Sequence, residues 1–169
     1  MTPAGTMGAF AQPILRLTRS QYAVIVGNCY DGLPNEACGL LVGPLGDGGE
    51  PTGAISEVRP CRNADASAVT YTVDPRDMLG AMRAAEAVGH EIVGVWHSHT
   101  HTEGYPSPTD VRQAVDPAWL YVIVSLRDLE PMLRAYRIRD AKIAEVAVEL
   151  SNREFGAIPG TRRGGATNP

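Results

Sequence analysis

Apolar positions along this chain fall into short blocks cut by glycine and proline, and the blocks follow two periods. Residues 14–17 predict a short opening strand. Thr18, with Gln21 three positions later, makes a capping box for a helix over 19–30, which Gly32 and Pro34 stop. The block 37–42 ends at Gly43 and Pro44 and predicts a central strand, and the glycine-rich stretch 46–53 predicts a turn. A second strand is expected over 54–60 and a third over 69–73, where β-branched and aromatic residues gather. Asp74 before Pro75 opens a helix reaching about Val88, and Gly89 ends it. Ile92, Val93, Gly94, Val95 and Trp96 read as a buried strand. Gly104, Pro106 and Pro108 then break the extended chain before a helical stretch over 109–115. The continuous apolar run 120–126 implies burial on both faces, and 132–139 and 143–150 read as two strands joined by a hairpin turn over 140–142. Strands mixed with about three helices predict an α/β or α+β sandwich, without internal repeats.

Composition narrows the function classes. A chain of 169 residues is large enough to bury a core without disulfide or metal staples. Its formal charge of −4 and scattered basic residues form no stripe for nucleic acid or an anionic membrane surface. Cys29, Cys38 and Cys61 are odd in number and lack CxxC spacing, as expected of free thiols in a reducing cytosol. The first residues lack the basic stretch of a secretory signal, Met7 is a candidate start, and no run approaches membrane-spanning length. The expected organisation is an arm over 1–13, one domain over 14–150, a flexible tail over 151–169, and a cytoplasmic location.

Candidate chemistry centres on two histidines. His97 and His99, one residue apart at a strand end, point to the same side, and Asp110 follows eleven residues after the second. Two imidazoles and a carboxylate suit zinc with one coordination place open. A histidine repeat alone does not separate ligand from accident, and a set of His97, His99 and His101 is also conceivable on a straight strand. It ranks lower, because the strand would have to continue into the glycine- and proline-rich loop. Cytidine-deaminase zinc sites need His-x-Glu and Pro-Cys-x-x-Cys, which this chain lacks. His90 fits an exposed or C-capping role, Trp96 and Trp119 fit the core, and Tyr105 fits packing or a groove wall. Read alone, Glu36 is a solvated loop acid and Ser107 a turn or N-cap serine.

Written out, the segment is His97-Ser98-His99-Thr100-His101-Thr102-Glu103-Gly104-Tyr105-Pro106-Ser107-Pro108-Thr109-Asp110. It resembles the JAB1/MPN/Mov34 (JAMM) metalloenzyme family, whose motif is His-x-His, seven residues, Ser, two residues and Asp, with a glutamate far upstream. The resemblance covers about 14–150 and implies an MPN-type, cytidine-deaminase-like mixed β-sheet flanked by about three helices. It implies one zinc ion per chain on His97, His99 and Asp110, with Glu36 as general base and Ser107 assisting the oxyanion. Within the family, Glu36-Ala37-Cys38-Gly39 and Thr100 after the second histidine are most similar to the small actinobacterial CysO-cysteine peptidases, which release cysteine from a ubiquitin-like sulfur-carrier protein. Many relatives carry proline where Thr100 stands. The implied activity is hydrolysis after the carrier's C-terminal Gly-Gly; the alternatives are trimming of another carrier precursor and a non-catalytic scaffold. A ubiquitin-like tail could bind by strand addition at an exposed edge beside the metal. Arg162-Arg163-Gly164-Gly165 looks like a ubiquitin-like terminus, but no such core precedes it, and we read it as coincidence.

Overall fold

The computed structural model describes residues 13–152; the arm over 1–12 and the tail from 153 onward lie outside the described residues. The chain runs β1 (Leu15–Thr18), α1 (Arg19–Asp31), β2 (Cys38–Gly43), β3 (Glu57–Cys61), α2 (Pro75–Ala87), β4 (Glu91–His99), α3 (Pro108–Gln113), β5 (Leu120–Ser125), β6 (Met132–Arg139), β7 (Lys142–Val146) and β8 (Val148–Ser151). One mixed sheet has the order β3-β2-β4-β5-β6-β7, and a separate two-stranded sheet pairs β1 with β8 in parallel. Only β4 and β5 pair in parallel within the larger sheet, as expected of a connection that passes through α3 rather than a hairpin. The architecture is α+β.

Strands β2, β4 and β5 are almost wholly buried, which their continuous apolar sequences require. On one face α1 brings Ile25 and Cys29 onto Leu41, Val93, Trp96, Val122 and Val124, together with Leu15 and Leu17 of β1. On the other, Ala81 and Ala85 of α2 cover Leu40, Val42, Val95, Tyr121 and Ile123. Trp96 is fully buried because Gly39 on the neighbouring strand carries no Cβ to meet its ring. Between β2 and β4 the register slips at Leu41/Val42, so that Val93 has no partner. This bulge resets the alternation and leaves Val95, His97 and His99 on the face of α2.

Helix boundaries follow their caps. Thr18 Oγ1 accepts the Gln21 N–H at 3.1 Å and Gln21 Oε1 accepts the Thr18 N–H at 2.9 Å, the predicted capping box. Asp74 accepts the Arg76 N–H at 2.8 Å ahead of Pro75, and Gly89 takes φ +70° just beyond α2.

Three expectations need correction. Segment 69–73 is not a strand; only Asn63 and Val73 form a bridge there. The Asn63 side chain bonds the Thr70 carbonyl and the Thr72 N–H, so a side chain occupies groups a strand partner would have used. The expected strand 143–150 is two strands, because after Ala147 the chain leaves the large sheet to pair with β1, and it continues to Ser151. The strand expected from residue 54 starts at Glu57; Ala54 instead bridges Arg16.

Candidate metal centre

The C-terminal end of β4 and the first turn of α3 face one another. Ser107 caps α3: its Oγ accepts the Asp110 N–H at 3.1 Å, and Asp110 Oδ2 accepts the Ser107 N–H at 2.7 Å. This reciprocal pair aims the Asp110 carboxylate back over the strand end. The intervening loop is pinned, with the Ser125 hydroxyl donating to the Thr102 carbonyl at 2.6 Å and the Tyr136 hydroxyl to the Gly104 carbonyl. As a result His97, His99 and Asp110 form the buried group whose donor atoms could hold a metal ion.

Its geometry fits a small divalent cation. His97 Nε2 lies 3.2 Å from His99 Nε2 and 3.2 Å from Asp110 Oδ1, and His99 Nε2 lies 3.3 Å from Asp110 Oδ2. Ligands at about 2.0–2.1 Å on a tetrahedral metal stand about 3.3–3.4 Å apart, close to these contacts, two of which run to different oxygens of Asp110. His99 Nδ1 is 2.7 Å from the Glu103 carbonyl, which can only accept, so this nitrogen carries the hydrogen and Nε2 keeps its lone pair. Burial holds the His97 imidazole below its ordinary pKa despite the pull of Asp110, which keeps it a neutral donor. Burial also presses His99 down, but Asp110 and the Glu103 carbonyl outweigh it and leave this imidazole raised. For Asp110 burial works upward, yet the two histidine rings against it and the Ser107 N–H hold its carboxyl well below the usual range. It is therefore ionised at neutral pH, as a ligand must be.

Glu36 stands two residues before β2, the strand next door. Cys38 pairs with His97, and one step on the Ala37 N–H bonds Ser98 Oγ at 2.8 Å while the Ser98 N–H bonds the Ala37 carbonyl at 3.0 Å. The next step of this antiparallel register sets Glu36 beside His99. Glu36 is 6% exposed, and burial pushes its pKa up to about 7, with His99 opposing and Asp110 and Asp65 adding to the rise. A carboxylate poised near neutrality can both take and return a proton. No hydrogen bond holds its carboxylate among the described residues.

His101 is exposed and turned away, with Nδ1 2.7 Å from Thr100 Oγ1, and it is no part of the donor group. His90 Nδ1 lies 2.9 Å from the Ser56 hydroxyl. β4 is paired on both sides, so the strand that carries His97 and His99 offers no free edge for strand addition. A cleft beside the donors is lined instead by His99, Glu103, Tyr105, Ser107, Val111 and Ile143. The sequence did not single out Asn63 or Tyr71, yet the Tyr71 ring stacks on His97 at 4.2 Å and 22°. Nothing in a one-dimensional pattern signals that contact, because the two residues meet only through the tertiary fold.

Comparison with known proteins places this geometry. The family model for prokaryotic homologs of the JAB domain matches residues 18–139. The chain is 42% identical over 118 residues to the CysO-cysteine peptidase of Mycobacterium tuberculosis, covering 69% of this chain and 77% of that protein. A desampylase of Haloferax volcanii is 34% identical over 93 residues, 54% of this chain and 63% of that one. The solution structure of a protein from Desulfitobacterium hafniense superposes with a TM-score of 0.71 at 32% identity, covering 80% of this chain and 92% of the other. The family match runs from the cap of α1 to the end of β6 and takes in Glu36, both histidines and Asp110, so this chain belongs to the prokaryotic JAB domain family.

Proposed function

We propose that this protein is a zinc metallopeptidase that hydrolyses the amide bond after the C-terminal Gly-Gly of a ubiquitin-like sulfur-carrier protein and releases cysteine. The observation that carries the chemistry is the buried group of His97, His99 and Asp110, whose donor atoms lie within 4.8 Å of one another, with a neutral-range carboxylate, Glu36, just before the adjoining strand. The similarity to a protein named CysO-cysteine peptidase supports the substrate.

Each residue has a defined task. His97 and His99 offer imidazole nitrogens and Asp110 an anionic oxygen, the three-ligand set of catalytic rather than structural zinc. A zinc ion held there would supply a Lewis acid for the scissile carbonyl and for acidifying a water at neutral pH. Glu36 takes the proton of that water and passes it to the departing amine, a role worth ~10²- to 10⁴-fold. Ser107 Oγ accepts the Asp110 N–H through a lone pair, which leaves its own hydrogen available to the developing oxyanion. Glycine in the substrate tail lets its backbone pass close to the donors, along the cleft between Tyr105 and Ile143.

The decisive assay incubates zinc-loaded protein with a ubiquitin-fold carrier ending in Gly-Gly-Cys and weighs the product. Loss of one cysteine, blocked by a chelator, is expected. An unchanged carrier in the presence of folded, zinc-loaded protein would refute the substrate, and parallel release of a carrier from a lysine isopeptide would redirect it to protein conjugates.

A further inference from the structure

One amide holds the two halves of the site together. Asn63 Nδ2 donates to the Glu36 carbonyl at 3.0 Å and to the Thr70 carbonyl at 2.9 Å. Its Oδ1 accepts the N–H groups of Asp65 at 3.0 Å and Thr72 at 3.1 Å. Both hydrogens and both lone pairs are thus engaged, all with main chain.

The segment tied in this way touches the site at three more points. The Ser67 carbonyl accepts the Glu36 N–H at 2.8 Å, and the Ala68 carbonyl accepts the Thr100 hydroxyl at 3.0 Å. Tyr71 stacks on His97. Both main-chain polar groups of Glu36 are therefore taken by one loop, and its carboxylate has no hydrogen bond of its own among the described residues. His97 is in a similar position. Metal-binding imidazoles are ordinarily oriented by a hydrogen bond at the second nitrogen, but His97 Nδ1 is buried and meets no partner among the described residues. The flat face of Tyr71 sets its plane instead.

We propose that Asn63 is a positioning residue that holds Glu36 by its carbonyl and, through Tyr71, holds the His97 ring against rotation. This rests on the metallopeptidase reading above. Aspartate has the same shape as asparagine but no donors, and it would turn a negative oxygen toward the Glu36 and Thr70 carbonyls. The Glu36 main chain then loses its carbonyl tether and Tyr71 loses an anchor beside it, while His99 and Asp110 keep their own supports.

Full-length protein tests this in two ways. With zinc saturating, Asn63→Asp should lower kcat on a carrier ending in Gly-Gly-Cys by ~10- to 100-fold, the usual cost of losing an outer-shell partner. KM should stay within about twofold, and kcat is counted per zinc-loaded folded chain, so that misfolding alone does not register. In competition with a chromophoric chelator, Tyr71→Leu should weaken zinc binding by ~10- to 100-fold while Tyr71→Phe, which keeps the ring, restores it. Asn63→Asp alone should also weaken zinc binding, and adding it to Tyr71→Leu should weaken it no further, because the first acts through the second. Equal zinc affinity in the Leu and Phe variants, additive losses, or an Asn63→Asp enzyme with wild-type kcat overturns the proposal. The zinc measurements need no substrate: a wild type that cleaves no carrier refutes the peptidase reading, while the affinities still decide the role of Asn63.

Discussion

From 97 to 110 a single stretch of chain brings His97, His99 and Asp110 together, whereas the facing wall joins Glu36 to Asn63, 27 residues away, and Ala37 to Ser98, 61 residues away. The first wall is laid down by strand alternation and a capping box, both short-range devices, and Ser125 and Tyr136 then pin the loop between them. The second exists only while β2, β4 and the loop after β3 keep their register. In the proposed reaction metal binding and proton transfer thus rest on different foundations, and substitutions can separate them.

The largest effect comes from breaking the local wall. Asp110→Asn removes the anionic ligand and should abolish stoichiometric zinc, read by elemental analysis, together with all chelator-sensitive hydrolysis. Glu36→Gln attacks the other wall: zinc should remain at one per chain while kcat falls by ~10²- to 10⁴-fold. Loss of zinc in that variant would show that the two walls are one cooperative unit.

The same substitution has a stability signature. The folded pKa of Glu36, about 7, lies above its ordinary 4.5, so its contribution to stability is present at low pH and lost as pH rises through 7. Glutamine avoids that loss. In chelator-treated protein, Glu36→Gln should be more stable than wild type by roughly 1–3 kcal/mol near pH 8, with the gap shrinking toward pH 5. Urea unfolding at the two pH values measures it, and a gap that does not change with pH contradicts the burial of this carboxyl. Ser107→Ala should cost about 0.5–2 kcal/mol through loss of the cap of α3, seen as a lowered urea midpoint. His101→Ala should change neither zinc content nor kcat, since its ring lies outside the donor group; loss of metal there would reassign the ligands.

How much could be read in advance varied with range. The capping box at Thr18 and Gln21, the helix start at Asp74 and Pro75, and the buried runs of β2, β4 and β5 were legible because each depends on neighbours within a few positions. The segment 69–73 misled for an equally physical reason. Its β-branched residues favour a strand, but Val69 is 77% exposed and the main chain nearby is bonded by Asn63. The break at Ala147 was invisible as well, since only the presence of β1 alongside makes leaving the large sheet favourable.

By itself the sequence determined the donor types, their common face and the turn that returns Asp110, because alternation along a strand and the reach of an N-cap are properties of a few consecutive residues. Only the tertiary structure decided that Glu36 stands beside His99, that Tyr71 covers His97 and that Asn63 binds them into one site. Those contacts form where distant segments are pressed together by the burial of two apolar faces, and the side chains that meet there carry no mark of it along the chain.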